Sequence, residues 1–351
     1  MPALTPRRFI LSISICLGLA LLAILLSPGF GTSELGLIDA WQSLIENRNA
    51  TDAASSDYNI AFRLRLARAV KALLAGITLA LCGAVFQTLF RNPLATPYTL
   101  GIANGGSLGA LIAIQLGLSS QGLFLSATTL CAFVGSITVV GCLTLLARLA
   151  RNLSSNTILL GGVTLGYFCS ALMMLVMYLA NEHDAVKMLR WMMGSLDTVG
   201  HRHTLALLPF LVIVWFVLLM RSNALNQYEL GPEIAATRGV NPTRLLSLGL
   251  VVGSLATAAI VSVCGPIGFV GLIVPHAARR LFGPDHRLLL PTSGLLGGTF
   301  LIVCDWMTAR TPVVYGLLVG QEFAGTYLPI GFMTALIGAP LFLILLGRRL
   351  R

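Results

Sequence analysis

Long uncharged stretches alternate with short basic knots along this chain. The pattern is clearest over residues 265–291, GPIGFVGLIVPHAARRLFGPDHRLLLP. That stretch starts apolar, turns basic at His276, Arg279, Arg280, His286 and Arg287, and is apolar again from Leu288. More apolar sequence flanks it on both sides, so the solvent for these stretches is lipid and the basic knot is a loop between two spans. A helix crosses the hydrocarbon core with about 20 apolar residues. A window of that length finds ten candidate spans, near 9–28, 69–90, 94–117, 122–147, 156–180, 204–220, 244–263, 266–282, 288–308 and 328–346. Glycine and proline inside such spans are tolerated only where neighbouring helices re-satisfy the backbone. The expected fold is therefore an all-α membrane bundle with a protein-lined interior, one domain over residues 1–351.

Composition agrees: 56% of the residues are hydrophobic and 10% charged, against about a quarter charged in soluble domains. The mean hydropathy is +0.86. The net charge of +10 does not indicate nucleic acid, because the basic residues sit in short clusters between spans and form no basic face. With the N-terminus inside, the inner loops carry 14 of the 23 Lys and Arg and three of the 13 acids, as the positive-inside rule requires. Both termini are then cytoplasmic. Arg63, Arg65, Arg68 and Lys71 break the rule and need their own explanation. The apolar run from Phe9 to Leu26 is read as a retained first span, since no small-residue cleavage site follows it. The seven cysteines all lie in apolar segments without a CxxC pair, so they read as packing residues. His183, His201 and His203 share the outer loop 181–203 with acids, but a His-x-His spacing suits one helix face poorly and the loop reads as a solvated one. No metal site is expected.

Breakers organise the rest. Residues 29–60 form an outer loop, with a short surface helix near Leu37 to Leu44 and a flexible NATDAASSD stretch. Pro93 and Pro97 break the chain between Gln87 and Gly101. Glycines four apart recur at Gly101/Gly105/Gly109, Gly162/Gly166, Gly249/Gly253 and Gly294/Gly298, which predicts closely packed helices. Cys82, Gly83, Pro93, Ala95 and Gly101 match Cys264, Gly265, Pro275, Ala277 and Gly283 at an offset of 182, a faint repeat whose copies start on opposite sides of the membrane. In the inner segment 222–243, Gly231, Pro232 and Glu233 suit a helix start and Gly239 a stop, so residues 232–238 form a short helix outside the bilayer. Asn241 and Pro242 start the next span. Asp305 is expected at the outer interface, where a charge costs less than at the bilayer centre.

Several stretches together resemble the permease subunits of bacterial ABC importers for iron–siderophores, haem and vitamin B12. They are Arg65 to Arg68, Gly83 to Gln87, Arg91 to Ala95 with Gly101, Gly265 to Arg279, Gly283 to Arg287, Leu290-Pro291, and Leu328 to Gly331 with Thr334 to Pro340. The resemblance covers nearly all of the chain from residue 60. It implies an inverted-repeat permease of about ten helices, present twice in its complex with the pathway at the dimer interface, and lodged in the bacterial inner membrane. Two ATPase subunits would dock inside, and a substrate-binding protein outside. It further implies that Gly231, Glu233, Ala235, Ala236, Arg238, Gly239 and Val240 form the coupling helix seated on the ATPase. Arg65, Arg68 and Arg310 would dock acids of the binding protein. Gln87, Asn92, Pro93, Gly101, Pro275 and His276 would serve gating or packing. The favoured cargo is a ferric siderophore, with haem or cobalamin as alternatives. The chain departs from the family pattern at Ala67, at Tyr327, and in a longer outer segment 311–327 holding Glu322.

The residues also weigh the competing classes. The only lysines, Lys71 and Lys187, do not follow glycine, so no phosphate-binding GxxxxGK loop exists here. No cofactor is expected on this chain; ATP and Mg belong to the partner ATPase. An ion-driven secondary transporter usually carries mid-membrane acids, and no Asp or Glu falls in the middle of a span. An intramembrane enzyme would need a partnered nucleophile or acid pair beside His276, and none is evident.

Overall fold

The computed structural model describes residues 5–31, 35–46, 56–118, 126–149, 155–197, 201–319 and 328–347, all built from helices and their connections. Of NATDAASSD, residues 49–57, read as a flexible stretch, 49–55 lie outside them, while Ser56 and Asp57 are helical. The helices are α1 (Pro6–Leu26), α2 (Leu37–Glu46), α3 (Ser56–Tyr58), α4 (Ala67–Leu89), α5 (Ile102–Gln115), α6 (Ala127–Leu149), α7 (Ser155–Leu179), α8 (Glu182–Met192), α9 (Arg202–Met220), α10 (Ser222–Glu229), α11 (Pro232–Thr237), α12 (Pro242–Cys264), α13 (Val270–Phe282), α14 (His286–Val319) and α15 (Ile330–Gly347). A π-helical stretch, Asn59–Leu66, joins α3 to α4.

Local chemistry sets the ends. The Thr5 hydroxyl accepts from the Arg8 amide, with Pro6 at the first helical position of α1. Asn241 caps α12 in the same way, accepting from Arg244 N at 3.0 Å ahead of Pro242. Each of the ten expected spans contains a helix. Among the described residues, however, six helices are long and apolar enough to cross a membrane, and a seventh if α9 and α10, bent by 47°, count as one. α5 and α15 are shorter apolar helices, and α13 has only 13 residues, about 20 Å at 1.5 Å per residue. The outer loop 181–203 is not simply polar loop. It holds α8, capped by Asn181 through the Asp184 amide, with acids in its first turn and Arg190 in its last.

α4 is the axis of the bundle. It is buried along nearly its whole length, whereas α1, α6 and α7 each turn an apolar face outward. Glycine makes its tight packing possible. A Cβ on Gly76 would sit 2.2 Å from the Gly297 carbonyl oxygen on α14, and one on Gly83 would sit 2.0 Å from the Gly271 oxygen on α13. The four glycine ridges are all seated: Gly105 and Gly109 against α6, Gly162 and Gly166 against Leu100 and Gly101, Gly249 and Gly253 against Leu89 and Phe86, and Gly294 and Gly298 against α4.

The packing is internally symmetric. The order long helix, break, short helix, two further helices runs through α4–α7 and again through α12–α15. Exchanging the two sets maps α4 on α14 to α12 on α6, α5 on α6 to α13 on α14, and α5 on α12 to α13 on α4, and all six contacts exist. The offset of 182 is not the register of this repeat. It pairs Cys264, the last residue of α12, with Cys82 in the interior of α4, and Pro93 in a break with Pro275 inside α13. The coincidence arose from shared residue types, not from equivalent positions.

Gly83→Val should drive α4 from α13 and destabilise the fold by about 1–3 kcal/mol or more, seen as loss of monodisperse protein or a lowered unfolding temperature in detergent. Gly141→Ala, with no atom within 4 Å of its Cβ, should leave both unchanged.

Candidate functional site

Between the two breaks lies a cavity of about 850 Å³. Thr96, Tyr98 and Thr99 line it from the first break, and Pro266, Gly268 and Phe269 from the second. Leu79 of α4, Val261 of α12 and Phe332 of α15 close its sides. The backbone around it is conformationally unusual. Gly101 (φ +74°) starts α5, Gly265 (φ +68°) ends α12, and Phe269 (φ +67°) starts α13 in a region that L side chains avoid. Gly338 leaves the space the Phe269 ring needs, since a Cβ there would lie 2.7 Å from the Phe269 Cβ. Gln87, buried in α4, donates from Nε2 to the Gly271 and Leu272 carbonyls at 3.2 and 3.1 Å. It thereby ties α4 to the first turn of α13.

The six expected gating and packing residues set the backbone near the cavity but do not line it. Asn92 and Pro93 make the turn after α4, with the Asn92 amide on the Gln87 carbonyl and the Asn92 Oδ1 accepting from Leu94 N at 2.9 Å. Gly101 packs on α7 through Gly162 and Gly166. Pro275 is buried inside α13, and His276 meets the Phe342 ring edge-on at 6.4 Å. Sequence reasoning missed the lining residues Thr96, Thr99 and Phe269. The signal available was the density of breakers inside an apolar run.

At one end of the bundle, α11 has the predicted form. Gly231 (φ +130°) precedes it, Pro232 begins it, Glu233 sits in its first turn, and Gly239 (φ +82°) stops it. Ala235 is fully buried, and Val240 N returns to its carbonyl at 3.0 Å. Glu233, Ala236 and Arg238 face outward. The same end carries a polar cluster from four helices. Asn226 of α10 contacts Asp285 and His286, His286 Nε2 lies 2.6 Å from Thr88 Oγ1 of α4, and Arg279 of α13 pairs with Glu229. Hydrogen bonds from Arg287 hold the Asp285 carboxyl down at about 2. Arg8 closes α13 by donating to the Phe282 carbonyl at 2.9 Å.

At the opposite end, the arginines expected to dock a partner are mostly turned inward. Arg65 is 3% exposed and donates to the Pro28 and Leu35 carbonyls at 2.6 and 3.0 Å. Gly31 leaves it room, as a Cβ there would strike the guanidinium. Arg68 is 6% exposed and pairs with Asp197 and, at 2.6 Å, with Asp305. Lys71 donates to the Asp197 carbonyl at 3.1 Å. These contacts account for three of the four charges that break the orientation rule, Arg65, Arg68 and Lys71, which are interior groups satisfied within the chain; Arg63 is exposed. Surface docking through Arg65 and Arg68 is inconsistent with this burial. Arg310 is exposed, 5.8 Å over the Phe30 ring, which in turn stacks on Trp306. Asp305, expected near the outer interface, is buried against protein beside Arg68. Residues 320–327, including Glu322 and Tyr327, lie outside the described residues. Among the described residues no cluster of metal-ligating side chains occurs.

A helical bundle with paired broken helices facing a half-open cavity has the form of a multi-pass membrane protein of the transporter class. The profile of the FecCD transport family matches residues 19–348, and the chain belongs to that family. It is 35% identical over 357 residues to the vitamin B12 import system permease protein BtuC of Salmonella paratyphi A, covering 98% of this chain and 96% of the relative. It is 37% identical to the cobalamin import system permease protein BtuC of Halobacterium salinarum, covering 82% and 73%. An uncharacterized ABC transporter permease protein of Bacillus subtilis, YvrB, is 35% identical, covering 84% and 80%. A solved inward-facing structure of a metal-chelate type ABC transporter superposes with a TM-score of 0.79 at 28% identity, covering 97% of this chain and 99% of that one.

Breaking a buried ion pair by removing one partner costs about 3–5 kcal/mol. Arg68→Met should lower thermal stability in detergent accordingly, and Arg68→Met with Asp305→Leu should recover most of the loss. A single variant as stable as the parent would contradict the buried pair.

Proposed function

We propose that this chain is the permease subunit of an ATP-driven importer that carries a large metal chelate across the cytoplasmic membrane. The observation that carries the reading is the juxtaposition, in one bundle, of a cavity between two broken helices and an exposed rigid helix, α11, at one end. A volume of about 850 Å³ is within the range of small-molecule sites, about 300–1,000 Å³. Two permease chains, as a homodimer or with a close relative, would enlarge it into a path. ATP and Mg would act on two separate ATPase subunits seated against Glu233, Ala236 and Arg238. A binding protein would deliver the cargo at the opposite end, where Arg310 is accessible. Both termini then lie in the cytoplasm.

Within the chelate class, the relatives named for vitamin B12 and cobalamin support a corrinoid cargo. The ferric siderophore of the original expectation rests on family resemblance alone, as does haem. Ligand retained by the cognate binding protein separates these cargoes.

Uptake into proteoliposomes containing the full complex, with ATP inside and no ion gradient, tests the importer reading. Uptake should require ATP. Gly239→Val forces a β-branched residue to φ +82°, at about 1–2 kcal/mol of strain, and should distort the end of α11. It should reduce uptake per ATP hydrolysed while leaving the chain inserted. Uptake that needs a gradient and ignores ATP would reject the proposal.

A further inference from the structure

We propose that Asn226, His286, Glu229 and Arg279 form a mechanical joint that passes movement of α11 to the cavity wall. This rests on the importer reading above and adds to it the residues that carry the stroke. α10 ends at Glu229, and two residues, Leu230 and Gly231, separate it from Pro232 at the start of α11. The Gly231 amide bonds the Tyr228 carbonyl, and the Ala235 amide bonds the Gly231 carbonyl, so α10 and α11 share one hydrogen-bonded elbow. Force on α11 therefore reaches α10.

α10 is in turn fastened at two points. Asn226 Oδ1 accepts from both the backbone N and the Nδ1 of His286 at 2.8 Å, while Asn226 Nδ2 donates to Asp285 Oδ1 at 2.8 Å. One amide thus holds the first residue of α14. The His286 side chain is fully buried, with its Nε2 against the Thr88 hydroxyl near the end of α4. With Nδ1 donating to Asn226, a neutral ring accepts from that hydroxyl, and the ring becomes a wedge between α10 and α4. One turn further on, Glu229 pairs with Arg279, whose Nη2 also lies 3.5 Å from Thr88 Oγ1.

Arg279 sits in the last turn of α13, and the other end of α13 is the cavity wall: Phe269, Gly271 and Leu272 line the cavity. α13 runs as one continuous helix between these ends; Pro275 in its interior leaves the Gly271 carbonyl without a helical donor, and Gln87 Nε2 takes it up. Its near end begins at Phe269 and Gly265, both at positive φ, and its first turn meets α4 through the Gln87 bonds and the packing of Gly271 on Leu79 and Gly83. The geometry is that of a lever, held at the α11 end by polar bonds of fixed direction. These are positioning residues; none of the four lines the cavity.

The test uses the assembled complex in nanodiscs, with hydrogen–deuterium exchange over residues 265–274 read with and without a non-hydrolysable ATP analogue. Uptake per ATP hydrolysed is measured in parallel. The variants are Asn226→Ala, Glu229→Arg, Arg279→Glu and the double charge swap. The parent complex should show nucleotide-dependent exchange in this segment. Asn226→Ala and each single charge variant should lose that response and about tenfold in uptake per ATP, with hydrolysis within about twofold of the parent. The double swap should restore both. A residue that merely stabilises the fold would lower the unfolding temperature without erasing the nucleotide response. Single variants that keep both response and uptake overturn the joint, as does a double swap that assembles but restores neither. If Asn226→Ala does not assemble, the charge-swap series decides alone. A parent complex that imports with ATP but shows no nucleotide response in this segment overturns the joint, whereas a complex without ATP-dependent uptake defeats the importer reading instead.

Discussion

Lipid offers the backbone no hydrogen bonds, and this structure is shaped by that fact. Every unpaired amide or carbonyl in the hydrocarbon region costs several kcal/mol, so irregular chain survives there only where protein or a cavity surrounds it. The two breaks, at residues 90–101 and 265–269, meet that condition together. They face one shared space, and side chains and helix ends take up the groups they free. Gln87 satisfies two carbonyls of α13, the Thr99 hydroxyl accepts from Thr96 N at 2.9 Å, and the Cys264 carbonyl accepts from Ser195 N at 2.7 Å. Removing the cavity would remove the reason the helices can be short.

Glycine supplies the other half of the solution. Between helices in lipid there is little hydrophobic gain to be had, so close van der Waals contact has to hold the bundle. Gly76 on Gly297 and Gly83 on Gly271 bring α4 to backbone contact with α14 and α13. Charged groups then fix the two ends. At one, Arg65, Arg68 and Lys71 are buried but spent on carbonyls and on Asp197 and Asp305. At the other, Asn226, Asp285, His286, Glu229 and Arg279 join α10 to α4, α13 and α14. The bundle is thus held by glycine contacts in its middle and by polar bonds at its ends.

Much of this was legible in the residues. Each apolar run marked a helix, because lipid imposes a nearly one-dimensional code on hydropathy, although six or seven of the described helices, not ten, are long and apolar enough to cross a membrane. The form of α11 followed from Gly231, Pro232, Glu233 and Gly239, whose preferences are local and strong. Helix length was less readable: a run of apolar residues does not reveal where re-entrant chain replaces helix, so α5 and α13 were drawn too long. The fate of Arg65, Arg68 and Asp305 was hidden for a different reason. Their burial depends on partners as far off as Pro28 and Asp197, brought close only by the fold. α8 was overlooked although Asn181, its acidic first turn and Arg190 were in plain view. The cavity lining was not readable at all, since it joins residues more than 150 positions apart.

The central claim is that the two breaks open onto one shared, water-reachable space inside the bundle. Cysteine accessibility in nanodiscs tests it most directly, using a membrane-impermeant thiol reagent on Thr99→Cys and Gly268→Cys, with a cysteine at outward-facing Leu160 as control. Both break positions should react, and cargo delivered by the binding protein should protect both, while the control stays inert. Two unreactive break positions, or protection of one without the other, would contradict the account.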